Sequence, residues 1–163
     1  MGAHDEAKLD TKFIDFAKQM NLYLAHFPKH EKYGLSQQIR NSAYGMYGFI
    51  VEGQKRYHKK TALSNLDICH EQLRMFLRLA FELGYFQFKD GAIDGGSEKT
   101  AAHRYLVISR MVDELGRMIG GWIVADRTKQ NPDGGQERRR QGHCVLPRSR
   151  TANGKFTAHE KHA

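Results

Sequence analysis

The stretch Glu114-Leu115-Gly116-Arg117-Met118-Ile119-Gly120-Gly121-Trp122-Ile123 decides the fold. With Met111 just upstream, its apolar residues Leu115, Met118, Ile119, Trp122 and Ile123 recur at steps of three and four, so they share one face of a helix. Arg110, Asp113, Glu114 and Arg117 take the opposite face. A glycine inside a helix costs roughly 1 kcal/mol relative to alanine. Gly116, Gly120 and Gly121 in a helix that ends on the chain's only tryptophan therefore need a compensating contact, and the close approach of another backbone is expected. The alternative is that they loosen a helix end. On either reading Trp122 is buried.

This helix is the fourth of four. It is expected to start near Ser97, a cap followed by Glu98 in the first turn, and to run to about Asp126. Upstream, residues 87 to 97 carry Asp90-Gly91 and Asp94-Gly95-Gly96-Ser97, a turn-rich connection. A third helix, from about Ala62 to Phe86, puts Leu66, Cys69, Leu73, Phe76, Leu77, Ala80 and Leu83 on its apolar side. Its outer row of Asp67, Glu71, Arg74, Arg78 and Glu82 is spaced for a ladder of ion pairs worth a few tenths of a kcal/mol each. The sharper reading of Arg74 and Arg78 is two cations one turn apart that face a phosphate or an acidic partner.

A second helix starts at Glu31 or Leu35 and runs to Tyr57, with Leu35, Ile39, Ala43, Met46 and Ile50 at heptad-like steps. A second row of Tyr44, Tyr47 and Val51 widens its stripe, so more than one neighbour is expected. Its end, Lys55-Arg56-Tyr57-His58-Lys59-Lys60, is basic; cations suit the negative end of a helix dipole and also suit a polyanion. The first helix, about Asp10 to His26, carries Phe13, Phe16, Ala17, Met20, Tyr23 and Leu24, and Pro28 closes it. Helices of about 24 to 30 residues make rods of roughly 36 to 45 Å. Such rods on short connections pack as an all-α, antiparallel up-down four-helix bundle. The expected organisation is a flexible lead-in over 1–9, the bundle over 10–126, and a basic disordered tail over 127–163.

The tail reading rests on Asn131-Pro132-Asp133-Gly134-Gly135, which breaks any helix, and on the polar, aperiodic sequence beyond it, centred on Arg138-Arg139-Arg140. Residues 127–163 hold nine Lys and Arg against three Asp and Glu, so six of the formal net charge of +8 fall there. A charge of that size fits a polyanion, most commonly nucleic acid. No stretch of about 18 uncharged apolar residues exists to span a membrane. The start of the chain does not read as a signal peptide. Cys69 and Cys144 lie in different contexts and read as reduced thiols, which points to the cytoplasm.

Bundle chemistry is missing. A di-metal bundle site needs Glu-x-x-His pairs, and the sequence has none. Arg74 stands where a metalloprotease helix would place the second histidine after His70-Glu71. Cys69 and His70 are adjacent and point about 100° apart on a helix, and His143-Cys144 has no nearby second pair. No phosphate-binding glycine loop or nucleophile elbow occurs. The expectation is a protein that is not an enzyme and has no cofactor and no metal.

Three segments carry a family likeness in order: Phe27-Pro28-Lys29-His30-Glu31-Lys32-Tyr33-Gly34-Leu35, Leu73-Arg74-Met75-Phe76-Leu77-Arg78-Leu79-Ala80-Phe81-Glu82-Leu83, and the Gly116-Arg117-Met118-Ile119-Gly120-Gly121-Trp122 run. They resemble the accessory variability determinant (Avd) proteins of diversity-generating retroelements, within a wider four-helix group that includes proteins encoded in intervening sequences of large ribosomal RNA genes. The likeness covers about residues 10 to 125. It implies a non-enzymatic accessory subunit that binds a reverse transcriptase and its template RNA or DNA, assembles as a homo-oligomer, usually a pentamer, and supports mutagenic cDNA synthesis. Residue by residue, it implies Arg74, Arg78 and Arg117 as motif arginines, and Gly120, Gly121 and Trp122 as a packing motif to which Gly116 is added. With the basic segments Lys55, Arg56, Lys59, Lys60 and Arg138, Arg139, Arg140, these arginines are the candidate nucleic-acid or polymerase contacts. The alternative is a structural or interaction bundle of the intervening-sequence type, with no polymerase partner.

Overall fold

The computed structural model describes residues 3–93 and 97–130, with side chains described from Ala7 onward except at Ser97. Four helices carry the fold: α1 (Ala3–His26), α2 (Leu35–Lys55), α3 (Lys60–Glu82) and α4 (Ser97–Gln130). Each packs on its sequence neighbour and α1 closes on α4, which gives the antiparallel up-down bundle expected from the periodicity. The helices belong to one compact unit within Met1–Asn131.

The core is written in heptad-like steps. Leu9, Phe13, Phe16, Met20 and Leu24 come from α1, Phe27 from just after it, and Ile39, Ala43, Met46 and Ile50 from α2. α3 adds Leu66, Leu73, Leu77 and Ala80, and α4 adds Ile108, Val112, Leu115, Ile119 and Trp122. Alternating steps of three and four keep each stripe on one side of a helix, the condition for knobs-into-holes packing in a left-handed bundle. The second row of α2 is shared between two roles: Tyr47 stacks on Phe13 of α1 at 4.8 Å between ring centroids, while Tyr44 and Val51 face outward.

Several boundaries differ from the periodic reading, each for a local reason. α1 begins at Ala3, not Asp10: Leu9 lies one heptad-like step before Phe13 and is fully buried, so the segment read as a lead-in extends the same apolar stripe. α3 ends at Glu82, not Phe86, because Gly84 adopts φ 75°, a left-handed conformation that glycine takes without steric cost and that ends helices. Leu83 is consequently half exposed, and the buried place in that layer is taken by Phe86, from the short 3-10 turn Tyr85–Gln87. Asp90-Gly91, read as a turn, closes a small hairpin in which β1 (Phe88–Lys89) pairs antiparallel with β2 (Ala92–Ile93). Both turn residues have positive φ, 53° and 81°, as a tight two-residue hairpin requires. Arg104 of α4 donates to the Phe86 and Phe88 carbonyls at 3.0 and 2.9 Å and ties this connection to the bundle.

The other connection is held by Glu31. A 3-10 turn, Lys29–Tyr33, precedes α2, and the Glu31 carboxylate accepts the Leu35 backbone N–H at 2.8 Å and the Tyr85 hydroxyl at 2.9 Å. It thus satisfies one of the donors left open at the start of a helix. Gly34 leaves room for it, since a side chain there would collide with that carboxylate. The N–H of Leu35 first, and the Tyr85 hydroxyl second, hold the Glu31 carboxyl below the usual carboxylate range. The cap expected at Ser97 and the tail beyond Gln130, with Arg138, Arg139 and Arg140, lie outside the described residues.

Candidate nucleic-acid interface

The four cations read at the end of α2 gather at one end of the bundle. α2 stops at Lys55, the chain turns through an extended Arg56, and α3 starts at Lys60. This short loop sits beside the final turns of α4. There the Trp122 indole, only 3% exposed, lies against Gly53 of α2: a Cβ at Gly53 would come within 2.8 Å of the ring. The Lys59 ammonium stands 5.7 Å from the centre of the indole, within the range of a cation–π attraction.

Above Trp122 opens a cleft of ≈ 670 Å³, whose lining includes Lys55, Arg56, Tyr57, Lys59, Asp126 and Lys129. Arg56 pairs with Glu52 at 2.9 Å. Among the described residues, Lys55 and Lys129 have no ion-pair partner. A second cleft of ≈ 500 Å³ shares Asp126 and Gln130 with the first and adds Lys60 and Arg127. Arg127 and Lys129 belong to this cluster and to α4, not to a tail that begins at residue 127. α4 continues four residues past Asp126, and the signal for that was Pro132, which disfavours helix at the residue before it and not five residues earlier.

The motif arginines lie elsewhere. Arg74 is about 21 Å along α3 from Lys60 at the helical rise, and Arg78 is a turn further. Arg74 donates to Glu71 at 2.9 Å, which first among several causes pushes its pKa further up; it is a rung of the charged ladder. Arg78 and Arg117 are exposed. The structure therefore separates two groups: the basic bundle end, and the arginines on the bundle's sides.

The glycines of α4 divide too. Gly116 receives the His70 ring, whose atoms would lie 2.6 and 2.7 Å from an added Cβ, while His70 Nε2 sits 3.0 Å from the Val112 carbonyl. The close neighbour expected at Gly116 is thus an imidazole from α3, not a backbone. Apart from the adjoining backbone of α4 itself, no atom of the described residues lies within 4 Å of a Cβ added at Gly120 or Gly121, so the expected close approach is not made there within one chain. Glu114, read on the outer face, reaches Lys12 of α1 at 3.0 Å. Burial pushes the Cys69 thiol up, which disfavours its thiolate. Among the described residues no cluster of His, Cys, Asp or Glu could hold a metal ion, and no helix is long and apolar enough to cross a membrane.

Residues 9–125 match the bAvd-like protein family. The chain belongs to that family. The match spans the helical core from Leu9 to Ala125 and includes Arg74, Arg78, Arg117 and the Gly-Gly-Trp run, as the motif resemblance required. Membership points to an accessory protein of a diversity-generating retroelement. Neither a curated protein nor a solved structure matches the chain. In this bAvd-like bundle, the basic end lies partly beyond the matched residues, since Arg127 and Lys129 fall outside them.

Proposed function

We propose that this bAvd-like chain is a non-enzymatic, nucleic-acid-binding subunit that accompanies a diversity-generating retroelement reverse transcriptase and supports mutagenic cDNA synthesis from its template RNA. The family match carries the reading. The basic end adds to it: Lys55, Lys59, Lys60, Arg127 and Lys129 converge from three helices and a loop onto adjacent clefts, an electrostatic footprint suited to phosphates. The bundle works as a homo-oligomer, with five copies as the family resemblance implies. Gly120 and Gly121 leave α4 bare beside Val124, which is 62% exposed, and α3 with its cap presents Met75, Leu79 and Leu83 outward; apolar stripes of this kind favour a covering partner, and a second copy supplies one. The polymerase docks on the sides of the bundle through Arg78 and Arg117.

The test is reconstitution. A diversity-generating retroelement reverse transcriptase is to be assayed for cDNA synthesis on its template RNA with and without the chain. The proposal expects cDNA to depend on the chain. Equal cDNA without it favours an interaction bundle of the intervening-sequence type.

A further inference from the structure

We propose that the cleft over Trp122 holds one nucleotide of a single-stranded nucleic acid, with its phosphate among Lys55, Lys59 and Lys129 and its base against Tyr57. This deepens the proposed nucleic-acid binding and rests on it. The first argument is size. A volume of ≈ 670 Å³ falls in the range of about 300 to 1,000 Å³ in which small molecules are held; it exceeds what a lone phosphate fills, and a duplex is too thick to enter it.

The second argument is charge. Lys55 ends α2, Lys59 precedes α3 and Lys129 lies in the last turn of α4, so three segments bring lysines to the lining of one cleft, against the single carboxylate of Asp126 among its described lining residues. The negative ends of the α2 and α4 dipoles favour Lys55 and Lys129 at those positions in any case. They give no reason for Tyr57.

Tyr57 is the third and deciding observation. It is 92% exposed, lies in the loop between α2 and α3, and meets His58 nearly edge-on at 4.9 Å between ring centroids. A large aromatic held in water contributes nothing to the core. An exposed ring beside a cluster of cations is the pairing by which proteins take single strands: the base stacks, the phosphates find the ammonium groups, and sequence matters little because every base has a π-face. In a duplex the bases are already stacked on one another and the ring has nothing to receive.

The chain carries its own reporter, because Trp122 is the only tryptophan and lines the cleft. The full-length chain is to be titrated at fixed salt with an oligouridylate of about eight nucleotides and with a hairpin duplex of equal phosphate number, following Trp122 emission. The expected result is a saturable change with the single strand and little with the duplex. Tyr57→Ala should weaken single-strand binding about tenfold with an unchanged salt slope, and Lys129→Glu should flatten that slope by about 0.7, the value of one neutralised phosphate on a single strand. Both variants should melt as the parent does. The proposal is overturned if the duplex moves Trp122 emission equally, or if Tyr57→Ala binds the single strand as tightly as the parent. Chain-dependent cDNA synthesis that survives Tyr57→Ala together with that result would remove the cleft and leave the accessory function standing; loss of chain dependence in the parent would remove the function itself.

Discussion

The indole of Trp122 rests on the bare backbone of Gly53, so closely that a methyl group there would come within 2.8 Å of Cη2. This packing ties the end of α2 to the end of α4 and sets the floor beneath the basic cleft. Gly53→Ala gains roughly 1 kcal/mol of helix propensity and loses about 1 to 3 kcal/mol to overpacking against a ring that is itself confined. The net is destabilising. Gly48→Ala, at a helical glycine with no atom within 4 Å of the added Cβ, keeps the gain alone. Thermal melting should place Gly53→Ala below the parent and Gly48→Ala above it; a Gly53→Ala chain that melts above the parent would contradict the close packing of the indole.

Gly116→Ala meets the His70 ring at 2.6 Å, an overpacking cost of about 1 to 3 kcal/mol set against roughly 1 kcal/mol of helix propensity gained, and should lower stability on balance. The double variant Gly116→Ala with His70→Ala should recover part of that loss, because the clash is gone while the bond to the Val112 carbonyl is lost too. Denaturant unfolding of the four members of the cycle measures the coupling.

Glu31 makes the fold sensitive to acid in one direction. Its folded pKa is held down by the Leu35 N–H and the Tyr85 hydroxyl, so the stabilisation is fully present above the unfolded value of about 4.3 and is lost as pH falls through the lower folded value. Glu31→Gln should cost about 1 to 2 kcal/mol at pH 7. Its deficit against the parent should shrink as pH falls below about 4.3. A deficit of constant size across that window would show that the carboxylate charge is not what matters.

How much of this was legible in the sequence depends on how local each cause is. The α4 core could be read directly, since Leu115, Ile119 and Trp122 keep helical spacing and are buried. Leu83 was misplaced because the buried row of α3 runs through Leu73, Leu77 and Ala80, whose next step is Gly84; the layer is completed by Phe86 after the helix has ended. Gly53 and His70 gave no sequence signal. The reason for each lies on α4, far along the chain, and only tertiary packing brings them together. The basic run at the end of α2 was visible as composition, but its convergence with Arg127 and Lys129 needed the true length of α4.

The proposed oligomer predicts that Gly121→Leu leaves the single-chain fold intact, since no neighbouring element of the described residues lies within 4 Å of an added Cβ, and breaks assembly. Light scattering should give a multiple of the chain mass for the parent and a value near 18.7 kDa for the variant. A parent mass near that of one chain would contradict the oligomer.

Removing residues 131–163 should lower nucleic-acid affinity and flatten its salt dependence by about 0.7 to 0.9 for each phosphate that the segment neutralises, with the melting of the bundle unchanged. Charge reversal at Arg78 and Arg117 should leave that binding nearly whole and impair the polymerase complex. An unchanged salt slope in the truncated chain would contradict this division.

The most direct measurement is co-purification of the tagged chain with a co-expressed diversity-generating retroelement reverse transcriptase, with and without ribonuclease treatment. The account predicts that the polymerase is retained by the parent, is retained after ribonuclease because protein surfaces hold the two together, and is lost on charge reversal at Arg78 and Arg117 in a variant that melts as the parent does. A polymerase that fails to co-purify with the parent chain under either condition would contradict it.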